Sequence, residues 1–221
     1  MSSDRYPALL DVTSRLVIVI GGTRQAERSA AALAAHGADV VMITADVSPS
    51  LLELQASGAL TVEPRGYVRG DLAGAFMAVS AESSPEIAAA IREEAKTRGT
   101  LLNVLADGDA SDFIVPSVVR RGPLQIAISS GGIAPSATRR VRREIATAYG
   151  PEWGVYITLL GAVRKRAIHR FGVGDAGLKP LFEAIDASDL LGRIKGGADP
   201  APDEVLDEFA SAMEPPAADP A

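Results

Sequence analysis

The chain has 221 residues, 28 Asp+Glu against 22 Lys+Arg, a formal net charge of −6 and 47% hydrophobic residues. That length suits one or two domains with a sizeable core, which excludes wholesale disorder, and no apolar run approaches the ~20 residues of a membrane span. With no cysteine and only His36 and His169, disulfides, thiol catalysis, iron–sulfur clusters and multi-histidine metal sites are excluded, and residues 1–16 lack a charged-then-apolar leader, so a soluble cytoplasmic protein is expected.

Leu16-Val17-Ile18-Val19-Ile20 is a continuous, mostly β-branched run, the pattern of a strand buried on both faces. Gly21-Gly22 ends it. Residues 25–36 are Ala-rich and read as a helix stopped by Gly37. Strands follow at 40–44 and 60–63, with a short helix capped by Ser48 between them. A fourth strand is predicted over 75–80, a helix from Ser84-Pro85-Glu86 to Arg98, and a fifth strand over 101–105. Such alternation gives a parallel, doubly wound sheet.

The pattern then changes. Residues 113–119 and 124–129 read as a hairpin about Arg120-Arg121-Gly122-Pro123. Helices are expected over 136–149, 152–171, 178–191 and 204–213. In the second, Trp153, Ile157, Leu160, Ala167 and Phe171 form an apolar stripe. The expected organisation is an α/β dinucleotide-binding domain over 1–115, a hairpin and helical region over 116–150, an all-α region over 151–213 and a disordered tail over 214–221. Trp153 and Tyr156 read as core or dimer contacts, and both histidines as structural.

Gly21-Gly22-Thr23-Arg24-Gln25-Ala26 stands between strand and helix, where a dinucleotide-binding turn belongs. In G-x-G-x-x-G/A the first glycine makes the turn, the second admits the pyrophosphate and the third position lets helix and strand pack closely. Here Gly21 and Ala26 fit the first and third positions, and Thr23 occupies the second. A side chain there intrudes on the pyrophosphate unless Gly22 opens the turn. The helix start still offers N–H groups to a phosphate. Asp46, after the second strand, stands where an acid holds the adenine ribose.

Residues 120–170 carry ten bases and only two acids, Glu144 and Glu152, whereas residues 198–221 carry seven acids and no base. The basic stretch reads either as a solvated helix face or as an attractor for a polyanion. It has few interleaved aromatics, so nucleic acid is not the expected partner.

Three blocks carry a family resemblance. Val19 to Arg28 resembles the opening of the precorrin-2 dehydrogenase family, which includes stand-alone enzymes and the N-terminal half of siroheme synthase. Asn103-Val104-Leu105 with Asp112 to Ser117 resembles its central block. Pro123 to Gly132, with Ala134-Pro135 and Arg139 onward, resembles its third, and Ser129-Ser130-Gly131-Gly132 is the most specific part. The resemblance covers roughly residues 7–170.

It implies a Rossmann-like NAD-binding domain, a dimerisation region and a small helical region in a homodimer. The implied reaction is NAD-dependent oxidation of precorrin-2 to sirohydrochlorin, in some members with insertion of ferrous iron as a second substrate. Arg24 and Gln25 fall where the family contacts NAD, Ala45 and Asp46 where it holds the adenosine end, and Ser80 and Ala81 on the cofactor crevice. Asn103 matches the family's site Asn, and Ser130 lies near the tetrapyrrole. Precorrin-2 carries carboxylates, so Arg120, Arg121, Arg139 and Arg142 are candidates to bind them, since the guanidinium fork suits a carboxylate. Ser129, Gly131 and Gly132 are candidates to offer backbone N–H groups. No resident metal site is expected.

The family's Asn-Val-Val-Asp block places an aspartate three residues after the Asn. Here that position is Ala106, and Asp107 follows. A one-residue slip turns a side chain to the other face unless a bulge intervenes, and Gly108 permits one. Asp107 would then serve as proton acceptor or iron-guiding carboxylate, with Asp109 and Asp112 nearby. If not, the chain is a family member without dehydrogenation: a tetrapyrrole carrier, a partner subunit or a chelatase only.

Overall fold

The computed structural model describes residues 5–105, 107–172, 174 and 178–213. Ala106 and the tail 214–221 lie outside the described residues. The chain divides into two compact units, one running through Val115 with Gly131–Ile133, the other comprising Pro116–Ser130 and the chain from Ala134 on.

The first unit is a five-stranded parallel sheet in the order β3-β2-β1-β4-β5. Its strands are β1 (Leu16–Ile20), β2 (Asp39–Ile43), β3 (Thr61–Glu63), β4 (Met77–Ser80) and β5 (Leu101–Val104). The helices are α1 (Arg24–Ala35), α2 (Pro49–Ala56) and α3 (Pro85–Arg98). The unbroken apolar run of β1 has a direct cause, since its residues supply two cores by turns. Val17 and Val19 join Ala26 and Ala30 of α1 and Leu51 of α2 on one face. Ile18 and Ile20 join Ile91 and Ala95 of α3 on the other. Parallel strands covered on both faces need apolar side chains at both parities. Between β3 and β4 the chain crosses without a helix, and Leu72 of that crossing loop is fully buried in the second core. β4 is shorter than expected, because residues 75 and 76 belong to this loop.

The free edge of β5 is covered by the following segment. The Leu102 amide donates to Asp112 Oδ2 (2.9 Å), and the Asp112 amide donates to the Leu102 carbonyl (2.7 Å). The Ser111 hydroxyl accepts from the Val104 amide (2.8 Å) and donates to the Asp107 carbonyl (2.8 Å). Side chains thus satisfy an edge that would otherwise invite pairing with another chain.

The second unit opens with the antiparallel hairpin of β6 (Ser117–Arg121) and β7 (Leu124–Ile128). The expected strand over 113–119 is corrected to 117–121. Pro116 has no N–H for a ladder, and the Phe113 carbonyl is taken by Asn103 Nδ2 (2.8 Å). Then come α4 (Pro135–Ala148) and the long α5 (Glu152–Phe171). The most buried face of α5 is Gly154, Tyr156, Leu159, Val163 and Ala167. Trp153, Ile157, Leu160 and Phe171 flank that core rather than centre it.

The single helix expected over 178–191 is two, α6 (Lys179–Asp186) and α7 (Leu190–Lys195). Ser188 makes the break, for its hydroxyl donates to the Ile185 carbonyl (2.6 Å) and accepts from the Leu190 amide (3.2 Å). The last helix, α8 (Pro202–Phe209), begins two residues early at Pro202 and ends in a 3₁₀ turn, Ala210–Met213. Glu204 sets its start by accepting from the Ala201 amide (3.0 Å). Among the described residues no helix is long and apolar enough to cross a membrane.

Candidate functional site

Strand order reverses at β1, whose neighbours are β2 and β4, so a crevice opens beyond the carboxyl ends of these three strands. The glycine turn stands there. The Gly21 amide donates to the Ile43 carbonyl at the end of β2 (2.9 Å), and the Ala81 amide donates to the Ile20 carbonyl (2.8 Å). Gly21 has φ +99°, and a Cβ on it would meet the Ala81 backbone at 3.2 Å. A Cβ on Gly22 would stand 2.6 Å from Thr44 Oγ1 and 3.0 Å from the Asp46 carbonyl oxygen. The two glycines therefore let the turn lie directly against the ends of both flanking strands.

Thr23 does not intrude in the way its position in the fingerprint suggests. It is the N-cap of α1, extended at φ −73° and ψ 149°, and its hydroxyl accepts from the Ala26 amide (3.2 Å). The side chain is folded back onto the helix. The amides of Arg24 and Gln25, in the first turn, have no intrahelical acceptor by helix geometry and stand at the positive end of the helix. This is a phosphate-binding arrangement. Thr23→Ala should destabilise the first unit by about 1 kcal/mol, and Thr23→Gly by only a few tenths, because glycine is a tolerable N-cap. Urea unfolding of both variants checks this; equal losses would show that the hydroxyl does not cap.

At the end of β2, Ala45 and Asp46 are exposed, and the Asp46 carboxylate makes no bond among the described residues. Thr44, which the sequence reading passed over, is buried, and its hydroxyl accepts from the Asp46 amide (3.1 Å), setting the path of this loop. A hydroxyl residue closing a strand two positions before an acid was its only signal. At the end of β4, Ser80 is buried and accepts from the Glu82 amide (3.3 Å). Glu82 accepts in turn from the Ser83 and Ser84 amides (2.8 and 2.9 Å). Ser80 thus shapes the wall of the crevice, and Ala81 forms it.

At the end of β5, Asn103 is buried with Nδ2 on the Phe113 carbonyl. Asp107 is exposed, and its Oδ1 accepts from the Asp109 and Ala110 amides (3.0 and 3.1 Å). The slipped aspartate therefore sits in a turn of its own, its Oδ1 engaged by two amides. Asp112 Oδ2 accepts from the Leu102 amide, so this carboxylate is also tied to the edge of β5.

In the second unit, Ser130 Oγ accepts from the Ala134 amide (3.1 Å) and bonds the Thr138 hydroxyl (2.9 Å). It fixes Ala134, the N-cap of α4, whose own side chain makes no cap bond. Gly131 and Gly132, which follow it, have φ +63° and +88°, and Ser129 is exposed. Arg121 also has an internal role. Its guanidinium donates to the carbonyls of Arg120, Ala146 and Tyr149, each at 2.8 Å, tying the hairpin to the end of α4. Three of its five N–H donors are thereby engaged inside the protein. Arg120, Arg139 and Arg142 are exposed and make no side-chain bond among the described residues.

The structure thus brings Gly21, Gly22, Thr23, Arg24, Gln25, Asp46 and Ala81 together about one turn. Asn103 and Asp107 share the end of β5, and the serine and arginine candidates belong to the other unit. A groove of about 550 Å³ between Gly122, Gly154, Thr158 and Pro200 has Asp199 as its single titratable lining residue, so it offers no acid–base pair. Among the described residues no group of three or more His, Asp or Glu is placed to hold a metal ion.

Comparisons with known proteins agree with this geometry. Residues 8–117 match an NAD(P)-binding family, and residues 121–148 match the central domain of sirohaem biosynthesis proteins. Siroheme synthase 3 of Aeromonas hydrophila is 30% identical over 199 residues, which are 90% of this chain and 42% of that protein. The siroheme synthase of Azotobacter vinelandii is 34% identical over 144 residues, 65% of this chain and 31% of that protein. The chain spans less than half the length of these curated relatives. The solved structure of SirC, a precorrin-2 dehydrogenase, superposes with a TM-score of 0.76 over 94% of this chain and 100% of that one, at 24% identity, and so shares its fold. From the two adjoining family matches and the siroheme synthase relatives it follows that this chain belongs to the sirohaem-biosynthesis family that includes the siroheme synthases.

Proposed function

We propose that this chain oxidises precorrin-2 to sirohydrochlorin with NAD⁺. The single observation that carries the reading is the glycine turn, where two side-chain-free residues are wedged between the ends of β2 and β4 ahead of a capped, anion-ready helix start. The residues fit the dinucleotide. The pyrophosphate would lie on the amides of Arg24 and Gln25, and Asp46 would hold the adenine ribose and repel a 2′-phosphate. When bound, NAD⁺ supplies the hydride acceptor. The substrate gives up that hydride and one proton, and gains one double bond. Asp107 would take the proton, since it is an exposed carboxylate held in its turn at Oδ1. Arg120, Arg139 and Arg142 would hold substrate carboxylates, and the Ser129–Gly132 loop would offer backbone donors to another.

The proposal extends to a cytoplasmic homodimer joined through residues 116–150. No residue of α4 is buried, and Val141 on it is exposed, as expected of a helix that awaits a second copy. Ferrous iron enters only as a second substrate.

Anaerobic turnover of precorrin-2, followed by sirohydrochlorin absorbance with and without NAD⁺, tests the reading. NAD⁺-dependent turnover is expected. Asp107→Asn keeps an oxygen to accept from the Asp109 and Ala110 amides while removing the base, and should lower kcat by about 10²–10⁴. Tetrapyrrole binding without turnover in the wild type would instead establish a carrier or chelatase.

A further inference from the structure

The turn that carries Asp107 is held from outside by a side chain more than one hundred residues away. Arg5 NH2 donates to the Gly108 carbonyl (2.6 Å) and to the Ser111 carbonyl (3.1 Å). These two carbonyls bracket the turn, and the Ser111 amide bonds the Gly108 carbonyl across it (3.3 Å). Residues 6–11 beyond Arg5 are all exposed, Tyr6 at 91% and Leu9 at 77%, whereas Arg5 itself is half-buried. The segment is therefore not packed down by an apolar face. Among the described residues its one long-range side-chain attachment is this guanidinium.

The turn is thus gripped on two sides. Ser111 and Asp112 sew its far end to β5. Asp107 Oδ1 closes its interior. Of these anchors only the Ser111 amide reaches the Gly108 carbonyl, at 3.3 Å, and Gly108 has no side chain and open space around it. Arg5 holds that point with a charge-assisted bond, about twice as strong as a neutral one.

We infer that Arg5 is a positioning residue, which sets Asp107 by clamping the 108–111 turn and makes the amino-terminal segment a working part of the site. The inference rests on the reading that Asp107 serves the reaction. A reacting group displaced by about 1 Å can cost ~10²-fold in rate, so a clamp acting through the turn has ample leverage. Loss of the clamp should lower kcat and leave the nucleotide end alone, because nothing in the Gly21–Thr23 turn touches Arg5.

The test uses the full chain and its Arg5→Ala and Arg5→Lys variants, with two readouts. Amide hydrogen exchange without ligand reports the clamp directly. In Arg5→Ala the amides of Asp109, Ala110 and Ser111 should exchange about tenfold faster or more, with those of α1 unchanged. Steady-state kinetics report its use. In Arg5→Ala kcat should fall about tenfold or more with KM for NAD⁺ within about twofold of wild type, and Arg5→Lys, which keeps one charged donor, should recover part of the loss. Unchanged exchange in Arg5→Ala would overturn the clamp, and faster exchange with unchanged kcat would overturn its catalytic use. An inactive wild type would overturn the dehydrogenase reading and this catalytic use with it, while the exchange measurement would still decide the clamp.

Discussion

Gly22→Ala is expected to weaken NAD⁺ binding by about 10–10²-fold while leaving a folded protein. The added methyl would stand 2.6 Å from Thr44 Oγ1, 3.0 Å from the Asp46 carbonyl and 3.1 Å from Asp46 Cβ. None of these yields cheaply. Thr44 is β-branched, buried and bonded to the Asp46 amide, and the second contact is backbone. Either the β2 end or the turn must move, and both belong to the proposed cofactor crevice. The overpacking should cost about 1–3 kcal/mol of stability, and a tenfold loss of affinity follows from every 1.4 kcal/mol of it spent against the bound geometry. Gly21→Ala adds backbone strain at φ +99° of about 1–3 kcal/mol and a 3.2 Å contact with Ala81. Gly66→Ala is the control, exposed and with nothing within 4 Å of the new methyl; it should change stability by less than about 0.5 kcal/mol. Isothermal titration of NAD⁺ with urea unfolding of the same three variants checks the set. Wild-type affinity in Gly22→Ala would move the cofactor away from this turn.

What the sequence showed of this site divides along physical lines. The β1 run and the glycine turn were legible because each is a local demand. A strand between two cores needs apolar residues at both parities, and a turn pressed against two strand ends needs residues without Cβ. The hairpin was legible in Gly122-Pro123, though its first strand was set too early because Pro116 and the Asn103–Phe113 bond deny a ladder before residue 117. The destinations of polar side chains were not legible. Arg121 and Arg139 look alike in the sequence, yet one donates to three carbonyls of its own unit and the other is exposed. Asp112 looks like Asp107, but it completes the edge of β5. Thr23 looked like an obstruction and proves to be a cap, because a hydroxyl at the residue before a helix has a nearer acceptor task than filling the crevice. Such choices depend on which backbone groups tertiary structure leaves unpaired. The break at Ser188 is of the same kind, since helix periodicity runs through it and a competing hydroxyl ends it.

The largest loss of stability is expected at a residue far from the cofactor turn. The crossing between β3 and β4 has no helix, and Glu94 of α3 stands in for one. Its carboxylate, 3% exposed, accepts from the Tyr67 hydroxyl (2.5 Å), the Gly70 amide (2.8 Å), the Leu72 amide (3.3 Å) and Arg98 Nε (2.6 Å). Leu72 is thereby fixed in the core. Glu94→Ala leaves two loop amides, a phenol and a guanidinium without their acceptor and should cost about 3–5 kcal/mol in urea unfolding. Glu94→Gln should cost less, about 1–3 kcal/mol, because one oxygen still accepts. The same network sets the pH limits. Burial pushes the Glu94 carboxyl up, but the Gly70 amide, the Tyr67 hydroxyl and Arg98 together outweigh it and hold the group below its ordinary value of 4.5. A carboxyl depressed in the folded state contributes its stability above the unfolded value and loses it as pH falls through the folded one. Burial, and then the bond to Glu94, pushes the Tyr67 phenol well above its ordinary 10.0. Its contribution is complete below that unfolded value and is lost as pH rises toward the folded one. Stability should therefore be level between these limits and fall on both sides, and in Glu94→Ala both limbs should flatten as the level drops. A Glu94→Ala protein that unfolds at the wild-type urea midpoint would show that the crossing loop is held by the burial of Leu72 alone.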